Sequence, residues 1–347
     1  MNKLIDLART SGTPIVDRQT VTFLWEGEQA PSLIADFNDW GQAPIQLVRV
    51  GQKTWIHEES LSNDAYIEYA YLDLESEERL VDPYNPRTVS NGMGDTDHFF
   101  HMPGTITNPL TRHARGIPKG KTTRHLISTA GLAIGKHRRV HLYQPPSAAA
   151  CPLIIVLDGN DYLRRGKLIQ ILDNLIAQKR VQPVALALVS HAGEARAVEY
   201  LSNDATLGFL NDCILPLAYQ ELNLVNLEAN PGAFGIMGAS MDGLMALYAG
   251  LRMPEIFGKV LTQSGFYSYD DHDFAVMDLV RYAPIKPIKI WMDVGKYESL
   301  RPTNQKMHDL LVEGGYQVCY REYPGGHNYT SWRDDLWRGL EYLFPAL

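Results

Sequence analysis

Phe234-Gly235-Ile236-Met237-Gly238-Ala239-Ser240-Met241-Asp242-Gly243-Leu244-Met245-Ala246-Leu247 decides how this chain folds. A short apolar run ends at Gly238, a serine stands two residues later, and the spacing beyond it fits a helix. A strand that turns sharply into a helix through Gly-x-Ser lifts the serine hydroxyl to the tip of the turn, where it is exposed as a nucleophile. The usual pattern is G-x-S-x-G. Here Asp242 takes the last position and Gly243 follows one residue late.

Outward from this elbow, strands and helices alternate from His125 onward. Pro152–Leu157 and Val184–Val189 are continuous apolar runs, as strands buried on both faces require. Lys259–Thr262, Ile288–Met292 and Tyr316–Tyr323 read as further strands, and Leu126–Ile134 with Arg139–Tyr143 as a hairpin. Helices are expected over Gly166–Lys179, Leu207–Leu222, Met241–Arg252, Asn304–Glu313 and Trp332–Leu343. The alternation predicts an α/β-hydrolase fold: a mostly parallel sheet with helices on both faces. In such a sheet the site lies at the C-terminal ends of the strands.

Three side chains arrive there in the order serine, acid, histidine. They are Ser240, Glu298 and His327. A serine hydroxyl needs a base to take its proton. Histidine titrates near neutrality and serves as that base. A carboxylate fixes the imidazole tautomer and stabilises the imidazolium. His327 follows Gly325-Gly326, which frees the backbone to place the ring. Asp293 is the rival acid. It lies at the strand edge, whereas Glu298 stands further into the loop. The oxyanion hole is expected from the N–H of Met241 and from Gly159 or Asn160, after the strand ending at Leu157. Asp158, Tyr162, Arg196, Asp242, Tyr267 and Trp332 are expected to contact substrate, and Asp270-Asp271-His272-Asp273 is a candidate rim of its binding cleft. Asp242 in the first helical turn suits the helix dipole. Its charge is expected to raise the pKa of His327 and slow the reaction relative to an Asp242→Gly variant.

Upstream, residues 1–15 read as a frayed start or short helix. From Val21 to Met102 all signals are β. Six short runs (Val21–Trp25, Pro31–Ala35, Ile45–Val50, Thr54–His57, Ile67–Leu72 and His98–Met102) are separated by Gly, Asn and Asp turns. This spacing predicts an all-β, immunoglobulin-like sandwich over residues 1–105. Trp25, Trp40 and Trp55 fit its core better than a sugar-stacking platform. His98 and His101, three apart on a strand, point to opposite faces, which argues against a shared metal. A Pro/Gly-rich stretch with Arg112, Arg115, Lys119 and Lys121 reads as a linker over 106–124, and the catalytic domain as 125–347.

Composition excludes several classes. The 347 residues carry a net charge of −8, against nucleic acid as a partner. Three cysteines lie far apart without a C-x-x-C pair, so neither a disulfide framework nor a zinc site is indicated. No metal or cofactor is expected. No apolar run has the length of a signal peptide or a membrane span. The expected setting is the cytoplasm and the expected partner a small-molecule ester, with a homodimer left open.

The second half resembles the esterase superfamily that contains enterochelin (siderophore) esterases, feruloyl and acetyl-xylan esterases, esterase D and mycolyltransferases. The likeness rests on Leu157-Asp158-Gly159, Arg196 to Tyr200, Phe209 to Pro216, Gly238-Ala239-Ser240-Met241, Val294 to Glu298, and Gly325-Gly326-His327-Asn328 with Trp332. The resemblance implies an acid at Glu298 rather than Asp293. Asp36-Phe37-Asn38-Asp39-Trp40, Tyr69-Ala70-Tyr71 and Asp82 to Pro86 resemble the early-set, immunoglobulin-like modules of glycogen-acting enzymes and enterochelin esterases. Together they imply a serine carboxylic-ester hydrolase acting through an acyl-enzyme on a siderophore lactone or another small ester. The alternatives are a feruloyl or acetyl carbohydrate esterase whose first domain grips glycan, and a non-catalytic glycan-binding or scaffolding protein.

Overall fold

A computed structural model describes residues 2–73, 75–92, 94–112, 114–270 and 272–346, without the side chain of Asn2. The chain divides into two compact units. The first holds Met1–Thr107 together with two later segments, Gly295–Ser299 and Glu322–Ser331. The second holds Asn108–Val294, Leu300–Arg321 and Trp332–Leu347.

The first unit opens with a helix, Asn2–Ser11, and is built mainly of β-strands. One sheet is built on Thr20–Glu26 paired antiparallel with Thr54–Ser60. The other centres on Tyr66–Leu72, between Ser32–Ala35 and Thr96–His101. The run expected as one strand over Ile45–Val50 breaks at the buried Leu47. Ile45–Gln46 joins the second sheet and Val48–Arg49 the first. Apolar residues from both sheets (Val21, Phe23, Leu33, Ile67, Tyr69, Phe100) form one core. Trp25 and Trp55 pack at its edge, with their indole N–H groups donated to Gln29 O at 3.1 Å and Gly27 O at 3.0 Å. His98 is buried and accepts the Asp82 N–H at 2.9 Å.

The second unit is organised by an eight-stranded sheet. Its strands are β1 (Lys121–Ser128), β2 (His137–Gln144), β3 (Leu153–Val156), β4 (Ala185–Val189), β5 (Phe234–Ala239), β6 (Phe257–Gln263), β7 (Lys289–Gly295) and β8 (Gln317–Tyr323). The spatial order is β1-β2-β4-β3-β5-β6-β7-β8. β1, β2 and β4 pair antiparallel in succession, and the pairings from β4 through β3, β5 and β6 to β7 are parallel. Every residue of β3, β4 and β5 is buried, which explains why these strands read as unbroken apolar runs.

Two boundaries differ from expectation. β1 begins at Lys121, inside the stretch read as linker, and the preceding segment is docked rather than free. Asn174 donates its side-chain amide to Leu110 O at 2.7 Å and Arg112 O at 3.0 Å, and Asp173 accepts the Gly120 N–H at 3.0 Å. The helix expected over Leu207–Leu222 is three pieces, with a wide π turn at Leu210–Ile214 between Asp204–Phe209 and Leu215–Glu221. Among the described residues no helix is long and apolar enough to cross a membrane.

Candidate active site

β5 ends at Ala239, and the helix Met241–Arg252 starts one residue after Ser240. Ser240 itself has φ +63° and ψ −125°. A non-glycine residue held there costs roughly 1–3 kcal/mol, and such strain is a recurrent feature of functional turns. The turn is held from both sides, by the Ser240 N–H on Gln263 O at 2.9 Å and the Phe266 N–H on Ser240 O at 3.1 Å. Gly238 is required because a Cβ there would lie 2.5 Å from the Asp242 carbonyl group. Gly243 has the same role toward β6, since its Cβ would stand 2.8 Å from Thr262 Oγ1. The close helix–strand approach therefore occurs at Gly243, and the position before it is free to carry a side chain.

That side chain is fully buried. Asp242 Oδ2 accepts the Ala239 N–H at 2.9 Å, and Oδ1 is paired with Arg196. Arg196 also donates through Nε to Asp158 Oδ2 at 2.6 Å and lies over the Tyr200 ring. Burial pushes both carboxyls up, Asp242 to about 7 and Asp158 to about 6. Asp158 raises Asp242 further, and Arg196 opposes the rise at both. The reading of Asp242 as an uncompensated charge at the elbow is thus corrected. It is a buried brace across three segments, paired with Arg196 and, through it, with Asp158.

A carboxyl whose pKa is higher folded than unfolded binds its proton better in the folded state. Its contribution is complete below about pH 4 and is lost as pH rises toward about 7. The Tm of the wild type is expected to fall relative to that of Asp242→Asn between pH 4 and pH 7, read by thermal scans of both proteins. A constant gap across that window would show that Asp242 stays ionised when folded.

Three more expected contacts are corrected by burial. Tyr162 and Tyr267 are wholly inside, with the Tyr162 hydroxyl on Gln263 Oε1 at 3.1 Å and the Tyr267 hydroxyl on Thr262 Oγ1 at 2.7 Å. Trp332 is buried and donates its indole N–H to Ser264 Oγ at 2.9 Å. All three read as ligand contacts because aromatic residues near strand ends serve packing and binding equally well. In the acidic run, Asp271 lies outside the described residues. Asp273 is held by Lys306 at 2.8 Å and Arg281 at 2.8 Å, and Lys306 keeps its carboxyl below the usual range. It ties the helix Ala275–Tyr282 to the helix Arg301–Glu313 rather than forming a rim.

Glu298 follows β7 and His327 follows β8. In the first unit the two meet, with Nδ1 of His327 at 2.6 Å from Glu298 Oε2. The second oxygen, Oε1, accepts the Gly295 N–H and the Tyr323 hydroxyl, the latter at 3.3 Å. These bonds hold Oε1 away from the ring and leave Oε2 toward His327. Glu298 is almost wholly buried, whereas the His327 side chain is 30% exposed. Asp293 is spent elsewhere: it accepts the Trp291 indole N–H at 2.8 Å and the Gln263 amide at 3.2 Å. Glu298 is the acid whose carboxylate lies within hydrogen-bond distance of His327 Nδ1.

β3 and β5 are parallel neighbours, and each delivers a helix-opening residue at its C-terminal end, Gly159 and Met241 respectively. Amides in a first helical turn lack an intrahelical acceptor. Gly159 must be glycine, because a Cβ there would sit 2.3 Å from the backbone of Leu188. Asn160 follows it on the same short helix. Asn328 and Asp36, both within motifs quoted for the resemblance but given no role there, are hydrogen-bonded next to His327, the Asp36 carboxyl accepting the Asn328 amide at 3.0 Å.

Residues 132–343 match the model of the family described as "Putative esterase". The chain belongs to that family. Among curated relatives, the iron(III) enterobactin esterase of Dickeya dadantii is 29% identical over 290 residues, covering 77% of this chain and 65% of the relative. The iron(III) salmochelin esterase of Escherichia coli O6:H1 is 27% identical, covering 65% and 58%. The chain thus spans somewhat less than two thirds of the length of these two relatives. The crystal structure of ferric enterobactin esterase from Salmonella typhimurium superposes with a TM-score of 0.76 at 21% identity, covering 93% of each chain. A ferulic acid esterase from Anaeromyces mucronatus gives 0.57 at 16% identity, covering 70% of this chain and 97% of its own. The fold of this family member is therefore enterobactin esterase-like over nearly its whole length, and α/β-hydrolase-like in its second unit.

Proposed function

We propose that this chain is a serine carboxylic-ester hydrolase in which Ser240 is the nucleophile, His327 the base and Glu298 the acid that orients it. The observation that carries the reading is the 2.6 Å contact of Glu298 with His327 Nδ1, which leaves Nε2 as the basic nitrogen. The strained backbone of Ser240 and the positions of all three residues just beyond strands of one sheet support it. His327 takes the proton as Ser240 Oγ attacks the ester carbonyl. The Met241 N–H, with Gly159 or Asn160, stabilises the oxyanion. The protonated imidazole then gives its proton to the departing alkoxide, leaving an acyl-enzyme that water resolves by the same relay.

The substrate class we infer is a siderophore-type lactone, because relatives named for enterobactin and salmochelin match 77% and 65% of this chain. The carbohydrate-esterase alternative is weakened by Trp25 and Trp55, whose indoles are tied to backbone at the edge of the core. A fluorophosphonate probe should label the wild type and not Ser240→Ala. No labelling, or labelling that survives the substitution, would sink the hydrolase reading. A panel of p-nitrophenyl esters, methyl ferulate and a ferric trilactone siderophore should then show the highest kcat/KM for the trilactone. A preference for methyl ferulate would favour the carbohydrate-esterase alternative.

A further inference from the structure

Asp36 is a buried carboxyl that the hydrolytic mechanism does not use. It opens the short turn Asp36–Asn38 after the strand Ser32–Ala35, in the first domain. Its Oδ2 accepts two hydrogen bonds, from the Glu68 N–H at 2.8 Å and from the Asn328 side-chain amide at 3.0 Å. A Cβ on Gly326 would lie 2.1 Å from Asp36 Cγ, so the backbone at Gly326 rests directly on the carboxyl. The residues on either side of His327 are thus held by one side chain almost 300 positions away in sequence.

The same segments are bound to the first domain at further points. The Tyr66 N–H donates to Pro324 O at 3.0 Å, the Ser62 N–H donates to the Tyr297 hydroxyl at 2.7 Å, and Ser299 donates its hydroxyl to Asp39 Oδ1 at 2.7 Å. Asn328 Oδ1 meanwhile accepts the Ser331 N–H at 2.8 Å, which fixes the amide so that its NH2 faces Asp36.

We propose that Asp36 is a positioning residue for catalysis: through Gly326 and Asn328 it sets the loop that aims His327. This rests on the reading of His327 as the base. The groups facing Asp36 are Glu68, Asn328, Glu298 and, through Glu68, the Tyr66 hydroxyl. Burial and the neighbouring Glu68 carboxylate hold the Asp36 carboxyl well above the usual carboxylate range. A neutral carboxyl and a carboxamide have the same shape and both present an acceptor oxygen, so asparagine is the matched replacement.

The test compares the wild type with Asp36→Ala, Asp36→Asn, Asn328→Ser and the Asp36→Ala/Asn328→Ser double variant on a p-nitrophenyl ester, with kcat and KM separated and folding followed by Tm. Serine keeps the cap on Ser331 but is too short to reach Asp36. A displaced general base typically costs about 10- to 100-fold in kcat. That loss is expected for Asp36→Ala and for Asn328→Ser, with KM little changed. Asp36→Asn should restore most of the rate, and the double variant should be no slower than the slower single one, because both act through one contact. Either folded single variant retaining full kcat, or losses that multiply, would overturn the inference. If Asp36→Ala does not fold, the kcat of Asn328→Ser decides alone. Absence of any Ser240-dependent turnover in the wild type would overturn the esterase reading and this inference together. Ser240-dependent turnover that these variants leave intact overturns this inference only.

Discussion

Ser240→Ala is expected to lower kcat by about 10⁴- to 10⁶-fold, the range seen when the nucleophile of a serine–histidine–acid relay is removed. The residual rate would come from oxyanion stabilisation and substrate binding, which alanine leaves in place. The fold should survive. Alanine meets the same backbone strain at φ +63° as serine does, and the bonds that hold the turn are made by the backbone of residue 240. Single-turnover and steady-state assays on an activated ester check the rate, and Tm checks the fold. A variant that keeps more than about a tenth of wild-type kcat would remove Ser240 from the mechanism.

Glu298→Gln is expected to cost about 10³- to 10⁴-fold in kcat with little change in KM, and the reason is specific to this site. Gly295 N–H and the Tyr323 hydroxyl both donate to Oε1. A glutamine would keep its carbonyl oxygen toward those donors and turn its NH2 toward His327. Nδ1 would then have to accept, which puts the ring proton on Nε2 and abolishes its function as a base. Asp293→Asn is the matched control. It disturbs the bonds from Trp291 and Gln263 and should lower stability by about 1–3 kcal/mol, while the folded fraction keeps most of its kcat. The reverse pattern, with Asp293→Asn catalytically dead and Glu298→Gln active, would exchange the two acids.

The elbow, the order of the three candidate residues and the alternation of strands with helices were legible from residue types. Apolar runs such as Leu153–Val156 and Ala185–Val189 advertise strands buried on both faces, and their lengths leave little else to form. Aromatic residues misled. Tyr162, Tyr267 and Trp332 lie near strand ends in the chain but point into the interior, and no local pattern separates a packed aromatic from one that meets a ligand. Asp242 misled for a related reason. Its partner Arg196 is 46 residues away, so an apparent fault in a motif could not be recognised as half of a buried ion pair.

What the sequence determined by itself is what short-range chemistry encodes: a strand–serine–helix turn, a Gly-Gly-His loop, a carboxylate between β7 and β8, and an all-β segment before them. Tertiary structure alone decided why Asp242 is tolerated beside Ser240, and that Asp36 lies against the histidine loop. Each of these depends on a hydrogen bond or steric contact between residues distant in the chain. Such pairs come together only when buried apolar surfaces have chosen the packing, and the polar groups caught inside must then find one another.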